Sequence, residues 1–341
     1  MSKQVFPFSV GFDCGNGAVK LKVSGHNQDF DFIRFPSYFA DVTTCASDHQ
    51  GVSRVSYKSG SPETPYIKSL KNKVWVCGDD ATSLDIRNQV FDNRSDGKVQ
   101  LALPLFLSAV AQLPIQRKHW EFRLVVSIHD AEVFGSKLKA NLEGKHVIEI
   151  QGVETTVVIH VLKVFDEGYV FKPSHTGNTT ILDIGNGTCI VTRFDPSGSV
   201  IHRANPFKFG VQHLYKKIYD HPTLRALGLD REIDLIRRGV ENPVDNKIYY
   251  GFGNNAKDIT NAYKECLKDW SANYLKESIN QVDKFQLAGD RVVVVGGGAC
   301  LPFLSDNLKK KGYIFNQQAP FMNVKKLHEV ACNSLVAEVI A

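Results

Sequence analysis

Apolar residues in this chain recur with two periods, and their alternation divides it into strands and helices. Phe8 to Asp13, Ala18 to Val23 and Phe30 to Phe35 read as three short strands, joined by the turns Cys14-Gly15-Asn16-Gly17 and Gly25-His26-Asn27. Asn-Gly between apolar runs predicts a tight hairpin, because both residues tolerate positive φ. Residues 36–72 are polar and rich in Ser, Thr and Lys, with one weak strand at Val52 to Tyr57, and predict an exposed insertion. Strand character returns at Val74 to Gly78. The pattern is then helical from Asp96 to Leu113, strand-like from Phe122 to Ile128, helical from Glu132 to Leu142, and strand-like at Val147 to Ile150 and Thr155 to Val164. This order predicts a mixed sheet with helices packed on it.

The second half repeats the opening theme. Strands are expected at Thr179 to Ile184, Cys189 to Asp195 and Ser199 to Ala204, with turns at Gly185-Asn186-Gly187 and Pro196-Ser197-Gly198. Residues 10–17 read VGFDCGNG and residues 180–187 read TILDIGNG, so D-x-G-N-G closes a buried strand twice. An internal duplication explains this economically. Helical patterns follow at Val211 to Tyr219, Thr223 to Arg238 and Ala256 to Val282. A β-branched strand, Arg291 to Val295, then runs into Gly296-Gly297-Gly298, before helices at Leu301 to Lys310 and Leu327 to Ile340.

With 341 residues, 43% of them hydrophobic, the chain has enough apolar mass for two domains of ordinary size. The excess of 41 Lys and Arg over 36 Asp and Glu gives +5, too mild and too scattered for a nucleic-acid footprint. Lys309, Lys310 and Lys311 read as the last turn of a helix, where cations oppose the macrodipole. The seven cysteines form no C-x-x-C pair and predict reduced core thiols. No signal-peptide pattern opens the chain, which predicts a cytoplasmic protein. The apolar stretch Leu101 to Ile115 is too short to cross a bilayer and predicts a buried helix.

An aspartate at a strand end, two residues before Gly-Asn-Gly, brings a carboxylate and bare backbone N–H groups to one point, where a phosphate is readily held. If the two copies face each other, Asp13 and Asp183 are placed to hold a hydrated Mg²⁺. Lys20 lies on the second strand of the first hairpin, on the face shared by Ala18 and Lys22. The third glycine run lacks the G-x-G-x-x-G spacing, which disfavours a pyridine-nucleotide site. Ser127, His129 and Asp130 alternate faces along a strand and do not make a triad. Nor do His175, His202 and His213 have metal-ligand spacing.

Five segments now stand in order: VGFDCGNGAVK (10–20), FDEG (165–168), ILDIGNGT (181–188), VVVGGGA (293–299) and ACNSL (331–335). They resemble the phosphate-1, connect-1, phosphate-2, adenosine and connect-2 motifs of the superfamily uniting actin, the heat-shock chaperone ATPases and the sugar kinases. Within it the chain most resembles the ParM/StbA-like bacterial actins, supported by VWVCGDDA (74–81), LVVSIHD (124–130) and the run from Lys139 to Ile148.

The resemblance implies an α/β, actin-like (ribonuclease H-like) fold of two duplicated domains. Each has a five-stranded mixed sheet with helices on both faces, and a nucleotide cleft lies between them. Domain I is expected at 1–165 plus 325–341 and domain II at 166–324, with a helical insertion at about 211–285. The resemblance further implies ATP or GTP with Mg²⁺, the metal held by Asp13 and Asp183 through water. Gly15, Asn16, Gly17 and Lys20 form the first phosphate clamp, and Gly185, Asn186, Gly187 and Thr188 the second. Gly296, Gly297 and Gly298 lie against adenosine, and Glu167 orients the attacking water. The chain departs from the family pattern at Asn186, where a glycine is usual, at Ile190 and at Asn333-Ser334.

The implied activity is an ATPase that assembles into filaments, partnered by further copies and by a small DNA-binding adaptor in plasmid segregation or another cytoskeletal role. Direct sequence-specific DNA contact is not expected. A small-molecule kinase or a nucleotide-dependent chaperone of the same superfold stands as the alternative, although the only acids placed to serve as a kinase base are Asp130 and Asp166.

Overall fold

The computed structural model describes residues 7–25, 27–90, 96–168, 176–204, 209–227, 232–316 and 318–340. His26, His175 and the middle of the expected Thr223 to Arg238 helix lie outside them. Contacts divide the chain into two units, Met1–Val170 with Asn323–Ala341, and Phe171–Met322. The division falls at 170/171, beyond the expected 165/166, and assigns Glu167 to the first unit.

In the first unit, β1 (Phe8–Cys14) is buried along its whole length. It pairs antiparallel with β2 (Ala18–Gly25) and parallel with β9 (His119–Ile128). Among the described residues the sheet has eleven strands, not the five expected, in the order β3-β2-β1-β9-β11-β10-β6-β7-β5-β8 with β4 also on β2. The remaining strands are β3 (Gln28–Asp29), β4 (Ile33–Pro36), β5 (Tyr38–Asp41), β6 (Val55–Ser61), β7 (Val74–Cys77), β8 (Asn88–Gln89), β10 (Gly144–Ile150) and β11 (Val153–Asp166). Part of the extra width comes from the segment read as an exposed insertion. Residues 36–72 place β5 and β6 in the sheet and bury Tyr38, Ala40, Val55, Tyr57 and Ile67. The weak strand expected at Val52 to Tyr57 appears as β6, shifted toward Ser61, whereas the alternation in Tyr38–Asp41 is too short to stand out from the polar residues around it.

One face of this sheet packs on the helix Gly97–Ala111, which is buried nearly all round and runs through Pro104. On the other face lies the helix Met322–Ile340, with Leu327 and Ala331 against Val125. Gly11 lets its backbone approach closely, since a Cβ there would stand 2.4 Å from the Val324 carbonyl oxygen and 2.5 Å from the His328 nitrogen.

In the second unit a five-stranded sheet runs β14-β13-β12-β17-β18, matching the expected size. Its strands are β12 (Thr179–Ile184), β13 (Cys189–Phe194), β14 (Val200–Arg203), β17 (Arg291–Val295) and β18 (Ile314–Phe315), while β15 (Tyr249–Tyr250) and β16 (Lys257–Asp258) form a separate ribbon. β12 pairs antiparallel with β13 and parallel with β17, repeating the pattern around β1. The long helix expected from Ala256 begins at Thr260 and reaches Leu287, with a π turn at Ser271–Leu275. Cys14, Cys77, Cys189 and Cys266 are buried, whereas Cys300 is exposed. No described helix is long and apolar enough to cross a membrane.

A buried histidine makes the first unit sensitive to acid. His146 is fully buried, its Nδ1 2.8 Å from the Tyr57 hydroxyl and its Nε2 3.1 Å from the Leu142 carbonyl oxygen. Burial pulls its pKa from 6.5 down to about 4, despite the Leu142 hydrogen bond. Between those values the unfolded chain binds the extra proton. Stability is therefore full above the unfolded pKa and is lost as pH falls toward the folded one, by roughly 3 kcal/mol. The urea midpoint is expected to drop across this window, and His146→Gln, which cannot titrate, is expected to flatten the drop. An unchanged pH slope in H146Q would exclude His146 as the source.

Candidate functional site

The two D-x-G-N-G hairpins have the same register. Cys14 faces Val19 and Ile184 faces Cys189, so each turn spans four residues, Gly15–Ala18 and Gly185–Thr188. A four-residue turn needs no left-handed residue. Accordingly, none of the six Gly-Asn-Gly positions has positive φ, contrary to the sequence reading. The first glycine is required by close approach instead. A Cβ on Gly15 would lie 2.8 Å from the Ala18 carbonyl oxygen, and one on Gly185 would lie 3.0 Å from that of Thr188.

What holds the turns decides what they present. In the second unit the carbonyls of Gly185, Asn186 and Gly187 accept from the backbone N–H groups of Val211 at 3.1 Å, Gln212 at 2.9 Å and Gly210 at 3.2 Å. These donors are the opening N–H groups of the helix Val211–Asp220 and its N-cap, which have no partner within the helix. In a trans peptide the carbonyl of one residue and the N–H of the next point in opposite directions. The N–H groups of Asn186, Gly187 and Thr188 therefore point away from that helix, an arrangement of donors able to hold an anion. The Asn186 side chain is drawn back, its Nδ2 3.4 Å from Gln212 Oε1.

In the first unit one residue does the same work. The Ser37 hydroxyl donates to the Gly15 carbonyl at 2.5 Å, and the Ser37 N–H donates to the Gly17 carbonyl at 3.3 Å. The N–H groups of Asn16 and Ala18 point the opposite way. Ser37 and Gly210 both escaped sequence reasoning. Gly210 leaves a faint signal as a glycine directly before an amphipathic helix, and a Cβ there would strike the Asn186 carbonyl at 2.4 Å. Ser37 leaves none.

The third glycine run joins the second turn. β17 lies parallel to β12 with Val295 beside Asp183. Gly296 has φ 86°, and a Cβ there would meet Asp183 Oδ1 at 2.3 Å. Gly298 packs against Ile184 and Val211, while a Cβ on Gly297 would meet no atom within 4 Å. Asp183, Gly185–Thr188 and Gly296–Gly298 thus form one local surface.

The aspartates differ in their neighbours. Asp13 is 5% exposed and accepts from Lys20 Nζ at 3.1 Å, directly across the hairpin. The equivalent position opposite Asp183 is Ile190. Burial pushes the thiols of Cys14 and Cys189, which flank the turns, up to about 12 and leaves them unreactive.

Glu167 follows β11 and is ion-paired with Lys98. Lys98 sits in the first turn of Gly97–Ala111 with its side chain 5% exposed. The macrodipole opposes a cation there, so a compensating carboxylate is needed. Burial pulls the Lys98 pKa down, but the charge of Glu167, its hydrogen bond and the nearby Asp13 outweigh it and raise the net value. Asp13, Lys20, Lys98 and Glu167 are thereby gathered in one charged cluster.

The donor chemistry suits Mg²⁺, a hard cation that takes one or two carboxylates, waters and phosphate oxygens. Among the described residues no three His, Cys, Asp or Glu side chains form a metal cage. The other candidates are engaged elsewhere. Ser127 Oγ accepts from Asn323, and His129 packs on Phe134 at 4.9 Å. Asp130 caps the helix Ala131–Leu142, and Asp166 accepts from the Ala131 N–H at 2.7 Å. His202 lies 2.8 Å from Gln281 Nε2, and His213 packs on Phe209 and Tyr274.

Lys98→Met is expected to leave the Glu167 charge buried without its partner and to lower unfolding free energy by roughly 3–5 kcal/mol. The double variant Lys98→Met/Glu167→Gln is expected to recover much of that loss in urea titrations. Additive losses in the double variant would contradict the pairing.

The family model described as "Actin like proteins N terminal domain" matches residues 11–169. No curated protein sequence matches the chain. Among solved structures, a Bacillus thuringiensis ParM hybrid with ADP, containing two ParM mutants, matches with TM-score 0.70 at 17% identity. It covers 98% of this chain, which spans 50% of the hybrid's length. Bacillus thuringiensis ParM with ATP gives TM-score 0.67 at 17% identity, covering 97% of this chain and 99% of its own. A subunit of the 15-stranded ParM filament of Clostridium botulinum gives 0.69 at 16%, covering 96% and 100%. These likenesses and the duplicated turn establish that the chain has the actin-like fold of the ParM proteins, with an actin-like N-terminal domain over residues 11–169.

Proposed function

We propose that this chain is a cytoplasmic ATPase that binds ATP or GTP with Mg²⁺ and assembles into nucleotide-dependent filaments. The observation that carries the reading is the duplicated turn. Twice a carboxylate stands beside a Gly-Asn-Gly whose glycine carbonyls are occupied from behind, so that the N–H groups after them are turned outward. The N–H groups of Asn16 and Ala18, with Lys20, and those of Asn186, Gly187 and Thr188 take the phosphate oxygens. Gly296–Gly298 receives the adenosine. Asp13 and Asp183 are the carboxylates that would hold the metal. Bound Mg²⁺ would supply positive charge against the phosphates.

Glu167 accepts a hydrogen bond from the attacking water and orients it, a positioning role of the kind other NTPases use. Lys98, ion-paired with this carboxylate, fixes its direction. Filament assembly and the transport of DNA through a small adaptor protein extend the reading by likeness to the ParM structures, one of them a filament. The ATPase reading is favoured over a kinase because Asp130 and Asp166, the candidate kinase bases, each accept a backbone N–H at the start of one helix.

Light scattering and negative-stain imaging with ATP, ADP or no nucleotide test the assembly. Filaments are expected with Mg-ATP, and a chain that stays monomeric at high concentration would refute the reading. Glu167→Ala is expected to retain nucleotide binding and to slow phosphate release by about 10²-fold. Asp13→Asn is expected to weaken Mg-nucleotide affinity itself in calorimetry. Phosphate transfer to a sugar or to acetate faster than hydrolysis would replace the ATPase with a kinase.

A further inference from the structure

The second unit carries a groove of about 770 Å³ whose lining includes none of the residues assigned to the nucleotide. One wall is the long helix that starts at Thr260, and the other is Phe303 with the short helix Leu304–Lys310. The floor is apolar, formed by Leu267, Ile279, Phe303 and Leu304. Lys264, Lys268 and Lys276 stand on the first wall, with Lys310 and Lys311 on the second. Arginine is absent from the lining, and the only acids in it are Asp283 and Asp306.

Those acids are already neutralised. Asp283 pairs with Lys311 at 2.7 Å and accepts the Tyr313 hydroxyl at 2.5 Å, while Asp306 pairs with Lys309 at 3.6 Å. Among the described residues, Lys264, Lys268, Lys276 and Lys310 have no carboxylate within ion-pair distance. Four cations of one sign thus rim a concave apolar floor on exposed helices, which favours an anionic occupant with an apolar side.

Two backbone irregularities shape the groove. Over the twelve residues from Lys264 to Lys276 a regular α-helix drifts by about a third of a turn. The π turn Ser271–Leu275 winds less per residue and takes up part of this drift, keeping the lysines on one side. Phe303 has φ 64°, an uncommon conformation for a bulky residue. It presents its ring to the floor, with Lys264 Nζ 4.5 Å from the ring centroid.

We propose that this groove docks an acidic amphipathic helix from a partner protein. Its apolar residues, spaced i, i+4, i+7, would enter the floor while flanking glutamates or aspartates meet the lysine rims. The concavity favours a helix over a planar bilayer. The apolar floor of Leu267, Ile279, Phe303 and Leu304 offers nothing to a phosphate backbone, which disfavours nucleic acid.

The test uses the full-length chain and fluorescein-labelled helical peptides of about 18 residues. One has leucines at the stated spacing flanked by glutamate, and the other has the same leucines flanked by lysine. Anisotropy is expected to show binding of the glutamate peptide, weakening about tenfold or more as salt rises from about 50 to about 300 mM. Lys268→Glu/Lys276→Glu/Lys310→Glu is expected to lose that peptide about tenfold or more and to gain the lysine peptide. Circular dichroism melts show whether the variant remains folded. No binding of the glutamate peptide, equal binding of both peptides, or an unaffected triple variant would each overturn the proposal. So would tighter binding to a DNA oligonucleotide or to phosphatidylserine vesicles that the same variant abolishes.

Discussion

A trans peptide cannot aim its carbonyl and the following N–H at the same target, and both glycine turns of this chain depend on that restriction. A turn becomes an anion cradle only when another part of the fold takes up its carbonyls. The second unit uses the opening N–H groups of Val211–Asp220, and the first uses the hydroxyl and the N–H of Ser37. The arrangement satisfies two sets of groups together, since the start of a helix needs acceptors as much as the turn needs donors.

Close backbone approach is the second requirement. Gly11 brings Met322–Ile340 down onto β1, Gly210 brings a helix start against Asn186, and Gly296 admits the Asp183 carboxylate. None of these contacts leaves space for a Cβ, and at Gly296 the left-handed φ adds a second reason for glycine. Gly297 differs, as its Cα faces open space, which is the side on which a ligand can lie.

The two copies of the motif have diverged electrostatically. Asp13 belongs to a cluster with Lys20, Lys98 and Glu167, in which each buried charge has an opposite partner close by. Asp183 faces Ile190 across its hairpin. The first hairpin thus sets a lysine opposite its aspartate and the second sets an isoleucine there. The lysine-rimmed groove is separate from both, built on side chains that neither turn uses.

The strands around the two turns, the helix Gly97–Ala111, the strand Arg291–Val295 and the duplication itself were legible in the sequence, because periodicity and turn chemistry are local. The same local signals identified the five motifs and so the fold. Neighbours that the chain brings together from afar were not legible. Lys98 meets Glu167 across 69 positions, and Ser37 meets Gly15 across 22. Tyr38–Asp41 and Val55–Ser61 lie in a polar segment whose sheet pairing is visible only once β7 and β10 are in place. The sequence determined which residues form each turn and carry its carboxylate. Tertiary structure decided which way those turns point and which charges they meet, because both depend on partners that no local pattern specifies.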